Sequence, residues 1–268
     1  MRPALLGIAI AALVSAPAPA AAWQELKGDH FIVYYEGGES FAKDVVNHAE
    51  TYYTRIADEL GYPRYSNFWS WENRAKIYVY LTEKAYHEAT GEAEWSHGVA
   101  VYSKKEIHTF QKSEGFLDGI LPHEITHLIF RDFIGFRAAA PIWIDEGVAQ
   151  WEEPAKRAIA RKVARWLIHT DKDMAVQDLT AADPAKMQDA DQVTYFYMQS
   201  VSLVDFLIRS YGASSFTDFC RSLRDGKPFE ESLRSSFKIE NQWELQEKWR
   251  KEVMGEPVPE DIEVYIRH

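Results

Sequence analysis

His123 and His127 flank Glu124 in the run HEITH (residues 123–127), and Glu146 follows after 18 further residues inside WIDEG (residues 143–147). No other feature constrains the fold as strongly, because three candidate metal ligands at this spacing demand two helices that meet at one point. On an α-helix, positions i and i+4 differ by about 40° around the axis, so His123 and His127 share a face and their imidazoles can converge. Glu124, one residue along, can reach a water beside an ion held there, but not the ion itself. Glu146 completes a set of three protein ligands that leaves a fourth position open, and Zn2+ is the ion this set suits. Ile120, Leu121, Ile125, Leu128, Ile129 and Phe130 make the flanks apolar, as in a helix buried beside a site. Two histidines and a carboxylate are costly to bury there unless a metal and hydrogen-bonded partners compensate.

Residues 1–22 read as a secretory signal peptide: Met1-Arg2 is the positive start, residues 4–14 are apolar, and residues 15–22 are small residues and prolines ahead of Trp23. The apolar run is shorter than the roughly 20 residues of a spanning helix, and no later segment approaches that length. The expectation is an exported protein, bacterial periplasmic or extracellular, without a transmembrane segment once the signal is removed; a retained N-terminal anchor is the alternative. Hydrophobic residues make up 46% of the chain and aromatics 14%, which fits a globular rather than a disordered chain. A net charge of −11 with no basic stripe argues against a nucleic-acid partner. Lys156, Arg157, Arg161, Lys162 and Arg165 fall on the polar face of one helix and read as a solvated surface. The single Cys220 excludes an intrachain disulfide and reads as a core thiol. Oligomeric state has no sequence signal.

Patterning divides the chain in two. Strands are expected over residues 31–35, 75–81, 98–102 and 106–110, with a helix over 40–60 and a short helix capped by Thr82. Residues 107–110 are read as the edge strand along which an extended peptide lies. From residue 115 onward the signals are helical: 116–133 carrying HEITH, 141–153 carrying Glu146, 154–169, 193–211, 216–223 and 243–253. Pro122 must sit in a first turn or at a kink. Residues 171–191 are polar and read as a loop beside the site, and the tail from 255 has little periodicity. The expected fold is α+β: one unit over residues 23–268, with a small N-terminal mixed β-sheet (about 23–114) followed by a mostly helical half (about 115–268).

HEITH, the 18-residue interval and WIDEGVAQW (residues 143–151) resemble the gluzincin zinc metallopeptidases. The sequence is most similar to the bacterial group called peptidase MA-like, related to the M1 aminopeptidase catalytic domain. The similarity is strongest over residues 115–211 and extends into YMQSVSLVDFLIRSYG (residues 197–212). It implies a zincin-like fold in which His123, His127 and Glu146 hold Zn2+, Glu124 is the general base, and a peptide or protein is the substrate. It also implies that Tyr197 donates to the developing oxyanion, with Tyr195 as the alternative.

An acid should orient a metal-bound imidazole from behind. Glu153 follows Glu146 by seven residues, nearly two turns of one helix, and matches a glutamate of the resembled family; Glu152 and Gln150 compete for the role. Asp145 points elsewhere on that helix, where a cap or a contact behind an imidazole are both open. The glycine-rich motif with a glutamate, by which M1 aminopeptidases grip a free amine, is absent upstream of HEITH: residues 98–102 carry no acid. An endopeptidase is therefore expected over an aminopeptidase. The competing readings are a zinc hydrolase of another amide, such as a cell-wall peptide, and a non-catalytic binding module; an intact Glu124 speaks against the latter.

Overall fold

The computed structural model of the chain describes residues 23–60, 69–70, 73–94, 96–135 and 140–255. The signal peptide read over 1–22 and the tail beyond 255 lie outside the described residues.

The fold is α+β, a small mixed sheet followed by a helical half. Five strands, β1 (Gln24–Lys27), β2 (Phe31–Tyr35), β3 (Ala75–Tyr80), β4 (Gly98–Val101) and β5 (Glu106–Phe110), lie in the order β1-β2-β3-β5-β4. The central strands β2, β3 and β5 run parallel, and β1 and β4 are antiparallel to their neighbours. The expectation that residues 107–110 form an edge strand is therefore wrong. Strand β5 is enclosed between β3 and β4, and among the described residues the free edge on that side belongs to β4. The reason is pairing order, which no local pattern encodes. Strand β1 escapes sequence reading because its residues QELK are largely exposed on both faces and show no alternation.

Alternation divides the sheet into two faces. Phe31, Val33, Ala75, Ile77, Ala100 and Ile107 are buried against α1 (Glu39–Glu59) and α3 (Leu121–Ile134), which join one continuous core. On the outer face Tyr34 stacks on Tyr78, and Tyr78 on His108, with ring centroids 5.1 and 4.9 Å apart. Helix α2 (Glu83–Thr90) lies between β3 and β4, capped as expected by the Thr82 hydroxyl accepting from the Ala85 amide.

A π-helical turn, Phe116–Ile120, feeds directly into α3, and Pro122 sits in the first turn of α3. Proline donates no amide hydrogen, so the wider turn ends where the regular ladder would lack a donor. The helical half continues through α4 (Ile142–Trp151), α5 (Pro154–His169), α6 (Val176–Ala181), α7 (Ala190–Tyr211), α8 (Ala213–Arg224), α9 (Phe229–Phe237) and α10 (Gln242–Val253). The segment expected as a loop, 171–191, contains α6, whose Val176 and Leu179 are fully buried. The Gln199 amide group pins its start, accepting from the Met174 amide and donating to the Met174 carbonyl.

The contact that places the site is between α4 and α7. A methyl group on Gly147 would stand 2.6 Å from the Ser200 carbonyl oxygen and 2.7 Å from a Val204 methyl, so only glycine allows this approach. The basic face of α5 is less solvated than its composition suggests. Lys156 bonds Glu153, Arg157 bonds Glu59 and stacks on Trp151, and Arg165 donates to the Val253 and Met254 carbonyls. Cys220 is buried, and burial pushes its thiol well above the usual range, as a core thiol requires. Among the described residues no helix is long and apolar enough to cross a membrane.

Candidate active site

Helix α3 presents His123 and His127 one turn apart, and α4 brings Glu146 to them from across the helical half. The two Nε2 atoms lie 3.1 Å apart, and Glu146 Oε2 is 3.5 Å from that of His127 and 3.9 Å from that of His123. Two donors at zinc-ligand distance in tetrahedral geometry are separated by about 3.4 Å, so this spacing suits one small ion. Among the described residues, this is the group of histidine and carboxylate side chains whose donor atoms converge closely enough for a metal.

The opposite ring nitrogens are both engaged. His123 Nδ1 lies 2.8 Å from Glu153 Oε1, and His127 Nδ1 lies 2.6 Å from Asp145 Oδ1. A carboxylate behind each imidazole fixes the ring and turns Nε2 toward the shared point. Each carboxylate in turn has a cation. Lys156 Nζ is 2.8 Å from Glu153, and Arg131 Nε is 2.9 Å from Asp145. Burial alone would raise both carboxyls, but the imidazole and the cation outweigh it, and both are held below the usual carboxylate range.

Glu153 thus stands where expected, for a different reason. Helix α4 ends at Trp151, and Glu153 is the extended residue, φ −83° and ψ 111°, that precedes α5. Its position comes from the junction between two helices, not from a face shared with Glu146. Glu152, its competitor, turns away to Arg55 at 3.0 Å. The contact behind His127 is one of the two roles left open for Asp145, and the two cations were not read from sequence. Arg131 had one available signal: it follows His127 by four residues on the same helix face.

Glu124 is half-buried, its Oε2 is shut off from solvent and makes no hydrogen bond to the described residues, and desolvation holds its carboxyl above the usual range despite the two histidines. A buried carboxylate oxygen with no protein partner, beside a convergent ligand set, is suited to taking a proton from a small molecule there. Tyr197, half-buried two turns into α7, has Glu146 as its charged neighbour; burial first and then that charge push its phenol up to about 12. Tyr195 belongs elsewhere. Its hydroxyl receives a hydrogen bond from Lys172 at 2.8 Å, and its ring packs with Val163 and Leu167 in a separate cluster. His108 lies on the outer sheet face, stacked on Tyr78 and 3.6 Å from Glu106, outside the convergent group.

An α+β scaffold with a HEITH helix and a glutamate brought in by the next helix defines a gluzincin-type peptidase architecture. A family profile described as the peptidase MA superfamily matches residues 70–255. The chain belongs to that superfamily, a group of peptidase hydrolases. No curated protein matches the chain.

Proposed function

We propose that this protein is an exported zinc-dependent peptidase in which His123, His127 and Glu146 hold the ion, Glu124 is the general base and Tyr197 donates to the oxyanion. The observation that carries this reading is the convergence of the two Nε2 atoms and Glu146 Oε2 next to the unpartnered oxygen of Glu124. The donor set fits zinc in type and in spacing: two imidazoles with their Nδ1 atoms facing carboxylates, and one carboxylate. When bound, zinc supplies Lewis acidity, which lowers the pKa of a coordinated water to about 7 and polarises the scissile carbonyl.

The chain's own groups divide the remaining work. Glu124 accepts a proton from the attacking water and delivers it to the leaving amine. Its raised pKa suits both halves of that exchange, since a strongly acidic carboxyl would be a poor base. The Tyr197 hydroxyl, kept protonated by burial and by Glu146, donates a hydrogen bond to the carbonyl oxygen as negative charge develops there. Asp145 and Glu153 hold the two imidazoles in place throughout. The edge of β4, unpaired among the described residues, offers backbone groups to an extended peptide, which positions the substrate as an added strand. Strand β4 carries no acid to grip a free amine, which supports an endopeptidase over an aminopeptidase.

Export rests on the signal-like run of residues 1–22, with residues 23–268 as the mature domain. The deciding experiment is metal analysis joined to cleavage of a fluorogenic peptide library. We expect one zinc per chain, hydrolysis abolished by a chelator and restored by zinc, and a Glu124→Gln variant that keeps zinc but loses about 10²–10⁴ in rate. Zinc without cleavage of any peptide would point to another amide as substrate, and absence of zinc would point to a binding module.

A further inference from the structure

The two chains of contacts behind the imidazoles are unequal. Behind His123, Glu153 meets Lys156, a flexible ammonium at the start of α5, 44% of whose side chain is exposed. Behind His127 the contacts close into a ring. His127 Nδ1 lies 2.6 Å from Asp145 Oδ1, Arg131 Nε donates to Asp145 Oδ2 at 2.9 Å, and the Arg131 guanidinium carbon lies 3.8 Å from the centre of the Tyr102 ring. The Tyr102 ring then meets the His127 ring edge-on, with centroids 5.6 Å apart and planes at 72°. A planar guanidinium can stack on a phenol and aim its nitrogens at a carboxylate at once, which a lysine cannot do.

Tyr102 immediately follows Val101, the last residue of β4. A groove of about 600 Å³ runs beside that strand, lined by Val99, Val101, Tyr102, Lys104, His108 and Arg131. A single aromatic ring is therefore shared between the free edge of the sheet and the contacts that orient one metal ligand. Among the described residues, the contacts behind His123 include no such ring from the strand.

We propose that Tyr102 is a positioning residue that ties strand β4 to the metal ligand His127 through Arg131 and Asp145. This rests on the zinc reading of the site. Tyr102 holds the guanidinium flat, the guanidinium holds the Asp145 carboxylate, and the carboxylate sets the rotation of the imidazole. Any ligand that lies along β4 presses on the same ring, so metal hold and strand occupancy are linked, and linkage of this kind is reciprocal.

The test measures zinc affinity by chelator competition, which needs no substrate, on the wild-type chain and on Tyr102→Ala, Tyr102→Phe, Asp145→Ala and the Tyr102→Ala/Asp145→Ala double variant. Tyr102→Ala is expected to weaken zinc about tenfold, the size of effect typical of groups behind a metal ligand, while Tyr102→Phe, which keeps the ring, stays within about twofold. In the Asp145→Ala background the Tyr102→Ala loss should vanish, because the path it acts through is already cut. A Tyr102→Ala affinity equal to wild type, or a loss that persists undiminished without Asp145, overturns the inference. If Tyr102→Ala does not fold, Arg131→Lys decides in its place: it keeps the charge, removes the planar stack and should also weaken zinc about tenfold, and an unchanged affinity overturns the inference. Failure of the wild-type chain to bind zinc would overturn the zinc reading and this inference together, whereas wild-type binding with an unaffected Tyr102→Ala variant overturns this inference alone.

Discussion

His127 Nδ1 lies 2.6 Å from Oδ1 of Asp145, the residue directly before the candidate ligand Glu146. Two adjacent residues of α4 therefore act on one imidazole from opposite sides, Glu146 facing Nε2 and Asp145 facing Nδ1. Replacing Asp145 with alanine removes the acceptor and frees the ring to rotate. Zinc affinity is expected to fall by about 10- to 100-fold, read by chelator competition. An Asp145→Ala variant with wild-type affinity would show that the ring is held by packing alone.

Tyr195 and Tyr197 of α7 should separate cleanly. Tyr197→Phe removes the hydroxyl whose charged neighbour is Glu146 and is expected to lower kcat by about 10²–10³ with little change in zinc content. Tyr195→Phe removes only the bond to Lys172 and should leave the rate within a few-fold of wild type. Steady-state kinetics on one cleaved peptide distinguishes them, and a larger loss for Tyr195 would reverse the assignment.

Gly147 sets the distance between α4 and α7. In Gly147→Ala the added methyl meets the Ser200 carbonyl oxygen, which belongs to backbone and cannot swing aside. We expect about 1–3 kcal/mol of destabilisation in urea unfolding, together with a weaker metal site, because Glu146 rides on the displaced helix. Full stability in this variant would mean that the helices slide apart without strain.

Glu152 should make stability depend on pH. Its side chain is fully buried, and burial first, then the charge of Glu59, lift its carboxyl from 4.5 to about 7, against the pull of Arg55 and Arg157. Between those two values the folded chain holds a proton that the unfolded chain has released. Stability contributed at this position is therefore greatest below the lower value and is lost as pH rises through the upper one, by up to about 3 kcal/mol. Glu152→Gln should flatten this decline when urea midpoints are compared at about pH 5 and about pH 8. An identical slope in the variant would place the pH dependence in other groups.

Legibility followed the range of the interaction. His123, Glu124 and His127 were readable because the helix repeat is local and forces residues four apart onto one face. Glu146 was readable because its apolar neighbours announce a second helix. Glu153 was reached from helix period, whereas it sits at an extended junction between two helices, and that junction is what brings its carboxylate to His123. The edge strand was misassigned because pairing alone, and not the local pattern of either strand, decides that β5 is enclosed and β4 lies outside it. The short helix α6 went unseen because six residues carry too little periodicity to stand out from a polar loop.

By itself, the amino-acid sequence determined the groups on offer: two imidazoles, a carboxylate between them, another carboxylate on the next helix, and the α+β division of the chain. Each of these depends on spacing within a single element. Only the tertiary structure decided which carboxylate supports which imidazole, that Arg131 and Tyr102 close the ring behind His127, and that β4 is the edge strand beyond β5 among the described residues. Those outcomes depend on helices and strands far apart in the chain meeting at particular distances, and here the close seat of Gly147 on Ser200 is what lets them meet.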